Sequence, residues 1–151
     1  MKTILIILLI GISLSYNPWG AINYANAYCS TYNPAFNNYK GRGGDCANFV
    51  SQCLTAGGFS LAGCGGTDNK GMIPGVSNLK NCLTSRGWRA SGSMPPNFQM
   101  GYPIFAKAYS HAMLATGISG GTSGGYVFYC AHTTDRCNAR IPMSDVDFYY
   151  L

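Results

Sequence analysis

Gly43-Gly44-Asp45-Cys46-Ala47-Asn48-Phe49-Val50-Ser51-Gln52-Cys53-Leu54-Thr55-Ala56-Gly57-Gly58 is the stretch on which the reading of this chain turns. Asp45 has the chemistry of an N-cap, so the spacing predicts a helix from Asp45 to about Ala56, stopped by Gly57-Gly58. Phe49, Val50, Cys53 and Leu54 recur with helical period and form its apolar face. Cys46 then sits in the first turn. Unpaired backbone N–H groups and the positive end of the helix dipole favour a thiolate there. The same groups around Asp45 and Cys46 suit a developing oxyanion. The preceding glycines let a substrate approach the backbone closely. The plainer reading is a cysteine buried for packing or held in a disulfide. Helix-start placement, flanking glycines and an odd cysteine count weigh against it.

Working outward, Asn17 to Ser30 reads as a helix opened by Pro18, with Ala21, Ala25 and Tyr28 on one face. Thr31 to Gly44 is a loop. Phe59 to Met100 is rich in Gly, Asn, Ser and Pro, with a short helix near Val76 to Ser85 and Trp88 covering part of the core. Beyond it the pattern changes. Pro103–Ala106, Ala112–Ile118 and Tyr126–His132 read as strands, the last two joined by a turn over Ser119–Gly125. Phe148–Leu151 reads as a final short strand. Helices first and an antiparallel sheet after them is the α+β order.

The chain has 151 residues, enough for one domain. Met1-Lys2, an apolar run from Ile4 to Ile12, and Ser13-Leu14-Ser15 form the order of a secretory signal peptide over residues 1–15, leaving residues 16–151 as the mature domain. The apolar run is shorter than the roughly 20 residues of a membrane span. No membrane association is expected after signal cleavage. The formal charge is +5, with basic residues scattered rather than clustered. That disfavours nucleic acid and agrees with an anionic surface such as a bacterial wall. There is no Glu, so acid–base chemistry falls to Asp, His or Cys.

Seven cysteines, at 29, 46, 53, 64, 82, 130 and 137, leave at least one unpaired in an oxidising compartment. Cys46 and Cys53 lie two turns apart on one helix, about 10.5 Å, too far to bridge. Connectivity is not fixed by spacing alone. The pairing expected is Cys29–Cys53, Cys64–Cys82 and Cys130–Cys137, which leaves Cys46 free. A thiol nucleophile needs a base, and the two histidines are His111, opening one strand, and His132, ending another. If those strands pair, the two ends lie side by side, and one ring can act on Cys46 while the other orients it. Asp45 and Asp135 compete for the orienting role, although Asp45 is accounted for as a cap and Asp135 as a partner of Arg136. A zinc site would need close Cys or His spacings that are absent, so no metal is expected.

The segment Asp45–Cys53 followed by Ala56-Gly57-Gly58 strongly resembles the motif of the putative amidase domain family, grouped with the CHAP and NlpC/P60 papain-like hydrolases. The resemblance begins at Tyr16-Asn17, Ala21, Tyr24-Ala25 and Tyr32-Asn33-Pro34. It resumes at Ser110-His111-Ala112 and His132-Thr133-Thr134-Asp135-Arg136. It implies a papain-like, NlpC/P60-type fold with N-terminal helices on a small antiparallel sheet, stapled by disulfides. It implies Cys46 as nucleophile, His111 as base and His132 as the third polar residue. The family is thought to cleave amides, typically in peptidoglycan. Two positions depart from relatives: Gly101-Tyr102-Pro103 stands where Gly-Asp is common, and Ala47 where Ser or Thr is common.

The expectation is therefore a secreted, extracellular cysteine amidase or endopeptidase that needs no cofactor. Its expected substrate is a peptidoglycan stem-peptide bond or the sugar–peptide link. Two alternatives stand beside it: a non-catalytic module binding wall glycan on the same scaffold, and a thiol acyltransferase.

Overall fold

The computed structural model describes residues 15–151. The signal-peptide expectation, Ser15 apart, lies outside the described residues. Three helices precede a sheet: α1 (Pro18–Tyr28), α2 (Cys46–Ala56) and α3 (Val76–Ser85). Six strands follow: β1 (Arg89–Ser91), β2 (Pro103–Ala106), β3 (Ala112–Gly121), β4 (Gly124–Ala131), β5 (Arg136–Pro142) and β6 (Val146–Tyr150). They form one antiparallel sheet in the order β1-β6-β2-β3-β4-β5. The architecture is the α+β arrangement expected.

Helix α2 is the axis of the molecule. Its residues from Cys46 through Leu54 are all buried, so the helix is enclosed on every side rather than on one face. Ala47, Val50 and Leu54 join a core with Ile73, Leu83, Trp88, Ile104, Phe148 and Met113. Phe49 and Cys53 join a second core with Ala21, Ala25, Leu114 and Cys130, between α1 and strands β3 and β4. Ser51 and Gln52 of α2 find partners in a loop and in α1. Ser51 Oγ donates to the Ile73 carbonyl at 3.1 Å and accepts from the Ile73 N–H at 3.2 Å. Tyr24 Oη donates to Gln52 Oε1 at 2.7 Å. Burying these groups without partners would cost roughly 1–3 kcal/mol each.

α1 begins where α2 ends: the Asn17 N–H donates to the Gly57 carbonyl at 2.8 Å. A Cβ on Gly57 would lie 2.5 Å from the Tyr16 ring, so only glycine allows this approach. The side chain of Asn17 caps α1, accepting from the Trp19 and Gly20 N–H groups.

Four differences from the sequence expectation have physical causes. The β3–β4 turn is only Thr122-Ser123, because the flanking glycines extend both strands and pair Gly121 with Gly124. β5 and β1 were not expected; both are sheet edges, β1 is three residues long, and neither has a fully buried residue. The carboxyl end is paired over Val146–Tyr150, slightly ahead of the expected position. The disulfides also differ. Cys64–Cys82 forms as expected, but Cys29 bonds Cys137, with Cα atoms 5.3 Å apart, not Cys53. Cys130 does not bond Cys137 either. The end of α1 lies over the edge strand β5, whereas Cys53 and Cys130 face inward to the second core. Cys130 Sγ donates instead to Asn26 Oδ1 at 3.8 Å. Cys46, Cys53 and Cys130 are thus all free thiols.

Candidate active site

Cys46 is the first residue of α2 and 7% exposed. The first helical bond runs from the Phe49 N–H to the Asp45 carbonyl. The amides of Cys46, Ala47 and Asn48 precede it and have no acceptor within the helix. Asp45 occupies the cap position, yet its carboxylate does not cap these amides. It is turned away and wholly buried. Oδ1 accepts from the Tyr39 N–H and from Asn48 Nδ2, each at 2.9 Å, and Oδ2 lies 2.7 Å from His132 Nδ1. The orientation leaves the helix start open beside the thiol.

His132 opens the four-residue turn between β4 and β5 and is 1% exposed. Its ring lies between Phe49 and Tyr32, with centroids 4.0 and 4.2 Å away. Nε2 lies 2.7 Å from the Tyr28 carbonyl. A carbonyl only accepts, so Nε2 is the donor in that contact, and Nδ1 faces the Asp45 carboxylate. Both ring nitrogens are occupied, and no hydrogen bond or ring contact among the described residues joins His132 to His111. The expected side-by-side relay of the two rings is not what the geometry shows; His132 is coupled to Asp45. The cause is that His132 points to the helix side of the sheet with Cys130, into the space beneath Asp45.

Thr133 completes this junction, and the sequence reading gave it no role. Its Oγ1 accepts the Asp45 N–H at 2.8 Å. Its φ is +86°, unusual for a β-branched residue. Gly44, at φ +106°, packs on it: a Cβ there would sit 3.0 Å from Thr133 Oγ1. The sequence signal that could have pointed to it is the pair of glycines ahead of Asp45, which marks a close approach by another segment.

His111 stands at the start of β3, half-buried, its ring stacked on Tyr109 at 5.6 Å. Burial holds its pKa below the ordinary 6.5, so the neutral base form is favoured near neutrality. No hydrogen bond joins its ring to Cys46 Sγ among the described residues. It lines a cavity of about 350 Å³ together with Thr133, Thr134, Tyr129 and Arg136. Cys46 does not line that cavity; Thr133 connects them through its bond to the residue before the thiol. A larger cavity, about 420 Å³, lies at the start of α1 among Pro18, Trp19, Ile22 and Met100 and has no titratable group. Of these two cavities only the smaller one carries titratable groups.

Asp135 does not pair with Arg136 as expected. Its carboxylate accepts from Tyr32 Oη and from Lys40 Nζ, each at 2.8 Å. Burial alone would raise its pKa, but these bonds outweigh it and hold the group below the usual carboxylate range. Among the described residues no group of three or more His, Cys, Asp or Glu is placed to hold a metal, and no helix is long and apolar enough to cross a membrane.

A segment of 53 residues, 35% of this chain, is 40% identical to the uncharacterized protein YhbB of Bacillus subtilis (strain 168). The match takes in only 16% of that protein's length. No solved structure matches. The match to the putative amidase domain runs over residues 15–147, through all three helices, Cys46 and both histidines. The chain belongs to the putative amidase domain family.

Proposed function

We propose that the protein is a secreted cysteine hydrolase that cleaves an amide bond of bacterial peptidoglycan, in the stem peptide or at the sugar–peptide link. The observation that carries this reading is Cys46 at the start of a buried helix with no side-chain cap, one residue from the Asp45 N–H that donates to Thr133 Oγ1, which lines the same cavity as His111. The central helix against an antiparallel sheet agrees with a papain-like arrangement.

In this mechanism neutral His111 accepts the Cys46 proton as Sγ attacks the amide carbonyl. The amides at the start of α2 receive the oxyanion of the tetrahedral intermediate. His111 returns its proton to the leaving amine. Water then attacks the thioester with His111 again as base, releasing the acid and restoring the thiol. General-base contacts are commonly long before substrate arrives, so an open Cys46–His111 pair agrees with a resting enzyme. His132 serves as the third polar member by fixing Asp45 and so the start of α2.

Extracellular location agrees with the two disulfides. The net charge of +5 suits an anionic wall. A second reading, a wall-binding module, is favoured by one observation: Trp19 is 62% exposed at the rim of the larger cavity. Incubating the disulfide-intact protein and its Cys46→Ala variant with purified peptidoglycan, with mass spectrometry of the soluble fragments, separates the two. New amine-terminated fragments from the wild type alone support the hydrolase. Sedimentation of both proteins with the wall and no release supports the binding module.

A further inference from the structure

The cavity beside His111 carries a charge that the amide chemistry does not use. Arg136 lines it, together with Tyr129, Thr133 and Thr134. Among the described residues the salt bridges are Lys40–Asp135 and His132–Asp45, so no carboxylate neutralises Arg136. Its Nη1 donates a long hydrogen bond, 3.3 Å, to the Asp135 carbonyl oxygen. Asp135, the adjacent acid, faces away toward Tyr32 and Lys40. Tyr129 feels the guanidinium directly: burial raises its pKa, and the charge and hydrogen bonding of Arg136 oppose that rise. His111 is held toward its neutral form by burial. The cavity thus presents a positive charge, two threonine hydroxyls and two tyrosines, with no negative group on its walls.

We propose that this cavity is the subsite for a carboxylate on the amine side of the scissile amide, with Arg136 as the residue that reads it. The inference rests on the hydrolase reading given above. The leaving amine takes its proton from His111, so that half of the substrate lies against His111 and extends into the cavity that His111 lines. A planar guanidinium accepts a carboxylate with two parallel hydrogen bonds, and Thr133, Thr134 or Tyr129 can supply a further donor. The substrate class that fits is an amide whose amine-side residue is an amino acid with a free carboxylate. A neutral or cationic residue there leaves Arg136 unpaired.

The test uses acetyl-Ala-Ala-Glu-amide and its Gln isostere, which differ only in that carboxylate. Hydrolysis of the Ala–Glu bond is measured with the wild type, and binding of both peptides with the Cys46→Ala protein by calorimetry. The expected result is a preference for the Glu peptide of about tenfold or more in kcat/KM and in affinity. Arg136→Gln should erase that ratio, and Arg136→Lys should restore part of it. Equal binding of the two peptides by Cys46→Ala, or no binding of either, overturns the subsite whether or not cleavage is seen. A ratio that survives in Arg136→Gln also overturns it. Carboxylate-selective, Arg136-dependent binding without any cleavage by the wild type keeps the subsite and removes the hydrolase.

Discussion

Asp45 could be placed at a helix start from its neighbours, but not in a buried pair with His132, since 87 residues separate them in the chain. Capping propensity is a local property, and the competing partner was supplied by tertiary structure. Once both members are buried, each depends on the other. His132→Leu leaves the Asp45 carboxylate with one oxygen unpaired in the core, and should destabilise the fold by about 3–5 kcal/mol in urea denaturation. Cys46 was legible because a thiol at a helix start needs only local context. Thr133 was not, because a strained φ cannot be read from residue type. His111 gives a second outcome. Only its neutral ring can take the thiol proton, and burial lowers its pKa below 6.5. kcat/KM should therefore rise with pH through an acid limb whose midpoint lies below that value and then level. A limb centred above 6.5 would show that His111 is not the titrating base.

Elements with strong local signals fell where the residues put them. α3 spans Val76–Ser85 and β2 Pro103–Ala106, each bounded by Gly or Pro in the sequence. β2 tolerates a proline within the sheet because it is the first residue of the strand. β5 and β1 escaped notice because β1 is only three residues long and neither strand has a fully buried residue to mark an inward face. The contact between α1 and α2 likewise rests on a position whose meaning is tertiary. Gly57 reads simply as a helix stop, yet it is also the place where Tyr16 and Asn17 close on α2. Gly57→Ala puts a methyl against the Tyr16 ring and the Asn17 carbonyl, at 2.5 and 2.8 Å before relaxation. The expected cost is about 1–3 kcal/mol, seen as a lowered Tm. An unchanged Tm would mean that Tyr16 yields freely.

At the scale of the molecule, one covalent strap joins its two halves. Cys29–Cys137 spans 108 residues, from the end of the first helix to the edge strand. The sequence favoured shorter pairings because it gives no sign that α1 folds back over β5. Closing a loop of this size restricts the unfolded chain strongly, and Cys137→Ser should cost about 2–5 kcal/mol by chemical denaturation. The α+β class was visible from the order of elements; the connectivity across the sheet was not.

Two of the three free thiols, Cys53 and Cys130, are fully enclosed in the second core, and burial raises the pKa of both. Neither packing position needs sulfur chemistry, yet both are vulnerable whenever the core opens. In an oxidising medium the useful lifetime of the protein is therefore governed by how often it breathes, not by how readily a thiol reacts. Each opening exposes two new nucleophiles to the Cys29–Cys137 and Cys64–Cys82 bridges, and exchange with either would trap a scrambled chain. The disulfide pattern would therefore survive only as long as the core that holds Cys53 and Cys130 stays closed.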